Sequence, residues 1–404
     1  MSRMPHLLKN QFLFKQGFQL VLFWCLLATV MLPSLLNFFT VSILFCISTS
    51  NLINENIKEQ WRQTRAIWIG LSLFVIFGMV FSELPEKSTK ASYDVLRHLI
   101  LFYFITPLFR QCSDRDIAKS LSYFSLFISY VFLLIVIYAQ YREGSMQLRG
   151  SPLGQSIWGS HNLLSTGITI FLLLTMCLIT LKSISIKLGL LIALPLIYAI
   201  AFTLSRGNIL SVIVIATFLI FHFFKLPKSI LLGLFFIMLI GYCYLFFIFP
   251  CDDGSCNLGI YPRQYIYQKT LDHIIEKPIF GHGLSVFKII SGIQEGGVNV
   301  VMPHNLILEL FYSVGIIGSL IFLVTLATWF YKSGWTFSLL IRSHNLPLPI
   351  IIGISLFIYL FIRGLFDLKL VSSQTFGLLA IIYSLLYSRK PLADSNLASK
   401  PAKN

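Results

Sequence analysis

Long apolar stretches alternate with short polar ones along almost the whole chain. The stretches run for about 13–26 residues, and an α-helix needs roughly 20 to cross the hydrocarbon layer of a bilayer. They lack the strict alternation of a barrel strand, so helices are the expected spanning structure. The pattern predicts an all-α, polytopic membrane protein with about twelve transmembrane helices, built as a single integral membrane domain over residues 1–404.

Twelve spans can be placed, and an even number leaves both chain ends on one side of the membrane. They are Phe18–Pro33, Ser34–Ser48, Ala66–Phe81, Val95–Leu108, Leu121–Ala139, Leu163–Leu181, Leu188–Leu204, Ile209–Phe224, Ile230–Phe249, Asn305–Phe330, Leu348–Phe361 and Thr375–Tyr387. The tail over residues 388–404 is short and polar. The loop over residues 250–303 is the one predicted extramembrane segment long enough to fold over a site.

Basic residues on the connecting loops predict the orientation of the chain. With a cytoplasmic N-terminus, 19 of the 31 lysines and arginines fall on the cytoplasmic side, as the positive-inside rule requires. They are Arg3, Lys9, Lys15, Lys58, Arg62, Arg65, Arg110, Arg115, Lys119, Lys182, Lys187, Lys225, Lys228, Lys332, Arg342, Arg389, Lys390, Lys400 and Lys403. We therefore expect an inner-membrane protein with both termini in the cytoplasm and the loop over residues 250–303 in the periplasm.

Composition supports a membrane chain and raises a question about charge. Hydrophobic residues make up 56% of the chain and charged residues 12%, which is too apolar for a soluble domain of 404 residues. The net charge of +15 has two interpretations, because cytoplasmic loops explain part of it and an anionic substrate is the alternative. Twelve basic residues remain on the outer face, where nearby acids almost balance them: Lys87, Lys90, Arg97, Arg142, Arg149, Arg206, Arg263, Lys269, Lys277, Lys288, Arg363 and Lys369.

The long outward loop shows some organisation of its own. Cys251 and Cys256 flank a short acidic segment just outside a predicted span, and a disulfide between them is expected if the compartment is oxidising. Farther along, Pro262 precedes Arg263 at an allowed helix start, and Pro278 ends the stretch. We predict a short helix that begins at Arg263.

Arg206 lies in the segment Leu204–Gly207, which is the tight turn between two apolar spans. An arginine near membrane depth is costly unless it is paired or reaches water. Two interpretations stay open at this point. Arg206 is either an interfacial residue whose side chain extends to the surface, or a phosphate ligand, since guanidinium binds phosphate oxygens bidentately.

His304 follows Pro303 and opens the tenth predicted span together with Asn305. A helix N-terminus disfavours an imidazolium, and a neutral imidazole at the outer interface is suited to act as a general base. The alternative is a histidine that only forms hydrogen bonds at the helix start.

Arg363, Gly364 and Asp367 form another predicted outward hairpin tip, where an arginine–aspartate pair is either structural or part of a site. Metal-ligand spacing is absent from the outward loops, so we expect neither a metal nor another cofactor. No nucleotide-binding loop is visible either, and neither nucleotide nor nucleic acid is an expected partner.

Four other histidines near the predicted outer face have no second feature that recommends them: His98, His161, His273 and His282. The segment Gly281–Gly283 is interpreted as a turn, because the Lys-Ser/Thr of a phosphate loop does not follow it.

In their order and spacing, four short motifs resemble the O-antigen ligase family, within the wider group of O-antigen ligases and polymerases. The resemblance covers nearly the whole chain. The motifs are Leu204-Ser205-Arg206-Gly207; Arg263 followed by Pro278, Gly281 and Gly283; Pro303-His304-Asn305 followed by Leu308, Gly315 and Gly318; and Arg363-Gly364 with Asp367.

The resemblance implies a metal-independent, inverting glycosyltransferase. Such enzymes move a polysaccharide from undecaprenyl diphosphate to a sugar hydroxyl of lipid A–core oligosaccharide at the periplasmic leaflet. His304 would deprotonate the acceptor hydroxyl, while Arg206 and Arg263 would hold the diphosphate and stabilise its charge. Further substrate-binding candidates are Arg149, Asn305, Arg363 and Asp367.

Three other functions are weighed against the ligase. An O-antigen polymerase often carries two Arg-x10-Gly motifs, but here Ser160 stands eleven residues after Arg149 and Ile274 eleven after Arg263. A protein O-glycosyltransferase usually adds a C-terminal periplasmic domain, which is not visible. A transporter or flippase of lipid-linked glycans predicts charges or broken helices at the bilayer midplane, whereas most charges here lie at loop edges.

Overall fold

A computed structural model describes residues 57–143, 161–203, 205–224, 233, 236, 261–295, 298–332, 346–366, 369 and 372–388. These residues form helices and one two-stranded antiparallel hairpin, in which Gln294 pairs with Asn299 and Glu295 with Val298. The elements are α1 Ile57–Val80, α2 Pro85–Gln111, α3 Asp114–Glu143, α4 His161–Thr180, α5 Ile186–Thr203, α6 Arg206–Phe224, α7 Tyr261–Glu276, α8 Phe287–Ile290, β1 Gln294–Glu295, β2 Val298–Asn299, α9 Leu306–Lys332, α10 Leu348–Phe366 and α11 Ser373–Ser388.

The structure confirms the prediction of an all-helical architecture over the described residues, apart from the small hairpin. Nine of the predicted spans coincide with α1 to α6 and α9 to α11. Phe18–Pro33, Ser34–Ser48 and all but two residues of Ile230–Phe249 lie outside the described residues. The count of twelve spans, the tail and the orientation therefore stay predictions.

Several helices present apolar side chains to the outside of the bundle. Within the described part of the chain, four helices are long and apolar enough to cross a membrane: α3, α5, α9 and α10. On α3, the exposed fractions of Tyr123, Phe127 and Leu134 are 71%, 63% and 65%. Water would disfavour such a stripe, whereas lipid accepts it. The chain is a membrane protein.

The helix α9 is broken at Gly315, its tenth residue. Gly315 has φ +60° and ψ −165°, which lies outside the helical region. The loop that follows α7 runs alongside and satisfies the backbone groups that the break leaves free. Ile316 N–H donates to the Pro278 carbonyl at 2.8 Å, and His282 N–H donates to the Tyr312 carbonyl at 2.8 Å. Irregular backbone inside a membrane chain is tolerated where other parts of the protein satisfy it in this way.

The close approach of this loop to α9 depends on Gly281, which has φ +70°. A Cβ at Gly281 would lie 2.6 Å from the backbone nitrogens of Gly315 and Val314. Gly292 has a similar φ of +61°, but a Cβ there would meet nothing within 4 Å. Both positions require a positive φ, but only Gly281 lacks room for a Cβ atom.

Gly281→Ala is therefore expected to lower the free energy of unfolding by about 2–5 kcal/mol, from backbone strain and overpacking together. Gly292→Ala should cost only the strain, about 1–2 kcal/mol. Thermal unfolding of the purified proteins in detergent measures both. Equal destabilisation by the two substitutions would contradict a tight loop–helix contact at Gly281.

Candidate functional site

The turn before α9 places His304 at the end of the bundle. Asn305 caps the helix, because its Oδ1 accepts hydrogen bonds from Ile307 N–H at 2.9 Å and from Leu308 N–H at 3.1 Å. His304 precedes this cap, so it stands outside the helix that it was predicted to open. It has φ +54° and is partly exposed. A non-glycine residue held in the left-handed region stores strain, which is commonest at functional sites.

Two contacts join the His304 turn to neighbouring elements. Tyr267 Oη on α7 donates to the His304 carbonyl at 3.5 Å. Asn305 Nδ2 donates to the Leu365 carbonyl at the end of α10 at 3.4 Å. The predicted helix start at Arg263 is confirmed to within two residues, since α7 begins at Tyr261. Because Arg263 lies four residues before Tyr267, it is about one helical turn away on the same face.

Arg363 differs from its predicted environment. It was expected in a loop tip, but α10 continues past the predicted end at Phe361 to Phe366 and places Arg363 in its last turn. There the residue is 2% exposed, and a cation suits the negative end of the helix dipole. Neighbouring Gly364 lies against α9, since a Cβ there would be 3.0 Å from Leu306 Cδ2. Arg363 is thus a buried residue beside the His304 turn.

Arg206 is the first residue of α6, directly after Ser205. A buried hydrogen-bond network holds this helix start. Asn208 Nδ2 donates to Ser165 Oγ at 2.6 Å and to Ser205 Oγ at 3.0 Å, and Tyr359 Oη donates to Asn208 Oδ1 at 2.9 Å. Asn208 and Tyr359 are both 0% exposed. The amide therefore bridges three helices, α4, α6 and α10.

Tyr359 lies four residues before Arg363 on α10, so the network reaches within one turn of the buried arginine. Sequence reasoning missed Asn208 and Tyr359. An asparagine inside a predicted span was the available signal, because buried polar groups within membrane helices need partners. The network connects the start of α6 to the end of α10, and α10 contacts the His304 turn.

Tyr359→Phe should leave Asn208 Oδ1 without its donor and lower the free energy of unfolding by about 1–3 kcal/mol. We also expect lower activity, because the helix ends that carry Arg206 and Arg363 lose their link. The matched control is Tyr198→Phe, which removes an exposed tyrosine bond to Gln140 (3.2 Å) on other helices. Thermal unfolding and activity of the two variants, measured side by side, check this. Equal stability and equal activity of the two variants would contradict the role assigned to the Asn208 network.

Glu309 is another residue that sequence reasoning did not single out. It lies in the first turn of α9 and is 2% exposed. An acidic group is favoured near a helix N-terminus, and an acid within an otherwise apolar span was a visible signal. Its position one turn after Asn305 places it close to the His304 turn.

A second polar cluster lies between the end of α1 and the loop after α7. Glu83 Oε1 is 2.7 Å from His282 Nδ1 and 2.5 Å from Lys277 Nζ. Burial raises the pKa of the Glu83 carboxyl, but hydrogen bonds and charges from Lys277 and His282 outweigh this and lower the pKa below its ordinary value. The expectation that His282 has no special feature was wrong, because it is 2% exposed and bonded at both ring nitrogens.

The remaining predicted site residues lie outside the described part of the chain: Arg149, Asp367, Cys251 and Cys256. For Arg206 and Arg263 the structure describes the helix positions but not the side chains. The roles assigned to all of these residues stay predictions.

One comparison with known proteins finds a match. A family model described as Wzy_C, O-Antigen ligase, matches residues 188–323, which contain Arg206, Arg263 and His304 in the order noted above. No curated protein matches the chain. The match runs from α5 through the first two thirds of α9, and α10 with Arg363 lies beyond it. Over residues 188–323, about a third of its length, the chain is similar to the O-antigen ligase family.

Proposed function

We propose that the protein is an O-antigen ligase at the periplasmic leaflet of the inner membrane of a Gram-negative bacterium. The family covers O-antigen ligases and polymerases, which are glycosyltransferase-like enzymes of lipopolysaccharide biosynthesis. The proposed donor is a polysaccharide on undecaprenyl diphosphate, and the proposed acceptor is a sugar hydroxyl of lipid A–core oligosaccharide. Both substrates are amphiphiles, so each can enter a site at the membrane edge sideways from the lipid.

One observation carries this proposal. The helix that bears Arg263, the His304 turn and the end of α10 with Arg363 are joined by Tyr267–His304 and Asn305–Leu365 contacts. The start of α6, which bears Arg206, is tied to α10 through Asn208. Residues from four distant parts of the chain thus share one end of the helix bundle. A histidine and several arginines at that end would supply a base and positive charge for transfer from a diphosphate donor.

His304 acts as the general base in the proposed reaction. It takes the proton from the acceptor hydroxyl while that oxygen forms a bond to the anomeric carbon of the donor sugar. The bond between the anomeric carbon and the phosphate oxygen breaks on the opposite face, so the configuration inverts. The electron pair of that bond leaves with undecaprenyl diphosphate, and the proton stays on the His304 ring.

Arg206 and Arg263 hold the diphosphate in this account. Charge accumulates on the leaving phosphate in the transition state, and fixed guanidinium groups stabilise it most where water is scarce. In this role the arginines supply the positive charge that a divalent cation provides in other glycosyl transfers, and for this reason we propose that the reaction is metal-independent. Arg363 is buried one helical turn from Tyr359, and we assign it to positioning the turn against α10.

The glycolipids of a deletion strain distinguish the proposed ligase from a polymerase. Loss of a ligase leaves long polymer on undecaprenyl diphosphate and bare core on lipid A. Loss of a polymerase leaves core that bears a single repeat unit. We expect the first profile, restored by the wild-type gene on a plasmid. The second profile would assign the protein to the polymerase branch of its family.

A further inference from the structure

Two histidines and a glutamate meet at the end of α7, apart from the His304 turn. One possible ligand atom from each of His273, Glu276 and His282 lies within 4.8 Å of the other two. His273 and Glu276 are three residues apart on one face of α7, and His282 follows in the loop that runs along α9. The side chain of His282 is 3% exposed and that of Glu276 62%, so the group is closed on one side and open to water on the other.

Every ring nitrogen of the two histidines faces an acceptor. His273 Nδ1 lies 3.0 Å from Glu276 Oε2, and its Nε2 lies 3.1 Å from the Ser291 carbonyl. His282 Nδ1 lies 2.7 Å from Glu83 Oε1, and its Nε2 lies 2.9 Å from the His273 carbonyl. A neutral imidazole has one N–H, so it can donate to only one of its two acceptors.

Hydrogen bonds alone can hold the two rings, or, in a second arrangement, one nitrogen of each ring binds a divalent cation while the other keeps its N–H. The rings lie edge to face with centroids 5.7 Å apart, and this brings one ligand atom of each near a common point.

The second arrangement has the outer contacts that are usual around metal-bound histidine. The nitrogen that does not bind the ion ordinarily donates to a carboxylate or to a backbone carbonyl. Glu83 supplies the carboxylate for His282 Nδ1, and the Ser291 carbonyl accepts from His273 Nε2. Lys277 in turn holds Glu83 in place at 2.5 Å. The nitrogens that would bind the ion are His273 Nδ1, which faces Glu276, and His282 Nε2, whose contact to the His273 carbonyl the ion would replace.

We propose that His273, Glu276 and His282 bind a divalent cation of the zinc type. Two imidazole nitrogens and a carboxylate oxygen form a donor set that zinc prefers, and water completes the tetrahedron. The ion joins α7 to the loop along α9 and, through Glu83, to the end of α1. It thereby fixes α7, the helix on which Arg263 lies, and it takes no part in the transfer reaction. This inference stands independently of the proposed function.

Zinc binding by the full-length protein tests the inference. The protein is purified in detergent, freed of metal with a chelator that is then removed, and titrated with Zn²⁺ against a chromophoric competitor. We expect one tightly bound equivalent in the wild type. The double variant His273→Gln/His282→Gln should bind that equivalent about 100-fold or more weakly. Because the buried His282 substitution can impair folding, Glu276→Gln provides an exposed single change, with an expected loss of about tenfold or more.

The matched control is Asp272→Asn, which removes a neighbouring carboxylate on α7 that is 3.7 Å from Lys269 and outside the cluster. It should keep the affinity of the wild type. Absence of zinc uptake by the wild type, or equal affinity in the wild type and in Glu276→Gln, would overturn the inference. The hydrogen bonds of the two rings alone would then account for the cluster.

Discussion

His304→Ala is expected to abolish attachment of the polymer while leaving the core lipopolysaccharide intact. Without a base, the acceptor hydroxyl must lose its proton to water, and removal of a positioned general base typically costs about 10²–10⁴-fold in rate. Silver-stained lipopolysaccharide gels of a complemented deletion strain, at equal protein level, measure the effect. Smooth lipopolysaccharide of normal abundance in this strain would contradict the assignment of His304 as the general base.

His304→Gly separates the imidazole ring from the backbone conformation. The residue has φ +54°, which glycine adopts at little cost and alanine adopts with strain. The glycine variant should therefore be more stable than the alanine variant and equally inactive. An active glycine variant would show that the turn matters and the ring does not.

Arg263→Ala should also remove the polymer ladder, with a loss of about 10²–10³-fold in transfer rate, because one fixed donor to the leaving diphosphate is gone. Arg263→Lys should restore only part of the rate, since an ammonium group keeps the charge but not the bidentate geometry. The rate of transfer by purified protein, measured with each variant, gives both values.

Lys269→Ala is the matched control for Arg263. Lys269 is a basic residue on the same helix, with a side chain that is 48% exposed and lies 3.7 Å from Asp272. If α7 bound its substrate only through general positive charge, the two alanine variants would lose similar activity. The proposed role requires that Lys269→Ala stay close to the wild type. Full rescue by Arg263→Lys would likewise contradict bidentate binding.

The helices of the described region could be predicted because the length and apolarity of a segment can be read from neighbouring residues in the sequence. Segment length and apolarity placed α4, α5 and α9 within two residues of their observed bounds. The break in α9 was not predictable in this way. Gly315 leaves the helical conformation where the backbone of Pro278 is available to accept from Ile316, and that contact joins segments that are distant in sequence. The pattern of apolar residues around Gly315 does not reveal that the Pro278 carbonyl will be available.

In the candidate site too, residues marked by their sequence neighbours were predicted, and residues marked by a distant partner were missed. His304 and Arg263 stood out because each sits at the start of a predicted helix. His282 did not stand out, because its meaning comes from Glu83, 199 positions away. Asn208 owes its role to Tyr359, which is 151 positions away. Arg363 was misplaced because the predicted span ended at Phe361, whereas α10 continues to Phe366 with Gly364 against Leu306.

We propose that this chain alone transfers polymer from the lipid carrier to lipid A–core at a site built around His304. The test is to incubate purified wild-type protein in defined lipid with polymer-loaded undecaprenyl diphosphate and lipid A–core oligosaccharide. We expect polymer-bearing lipid A–core and free undecaprenyl diphosphate with the wild type, and neither product with His304→Ala. Longer polymer on the lipid carrier, with lipid A–core unchanged, would contradict it.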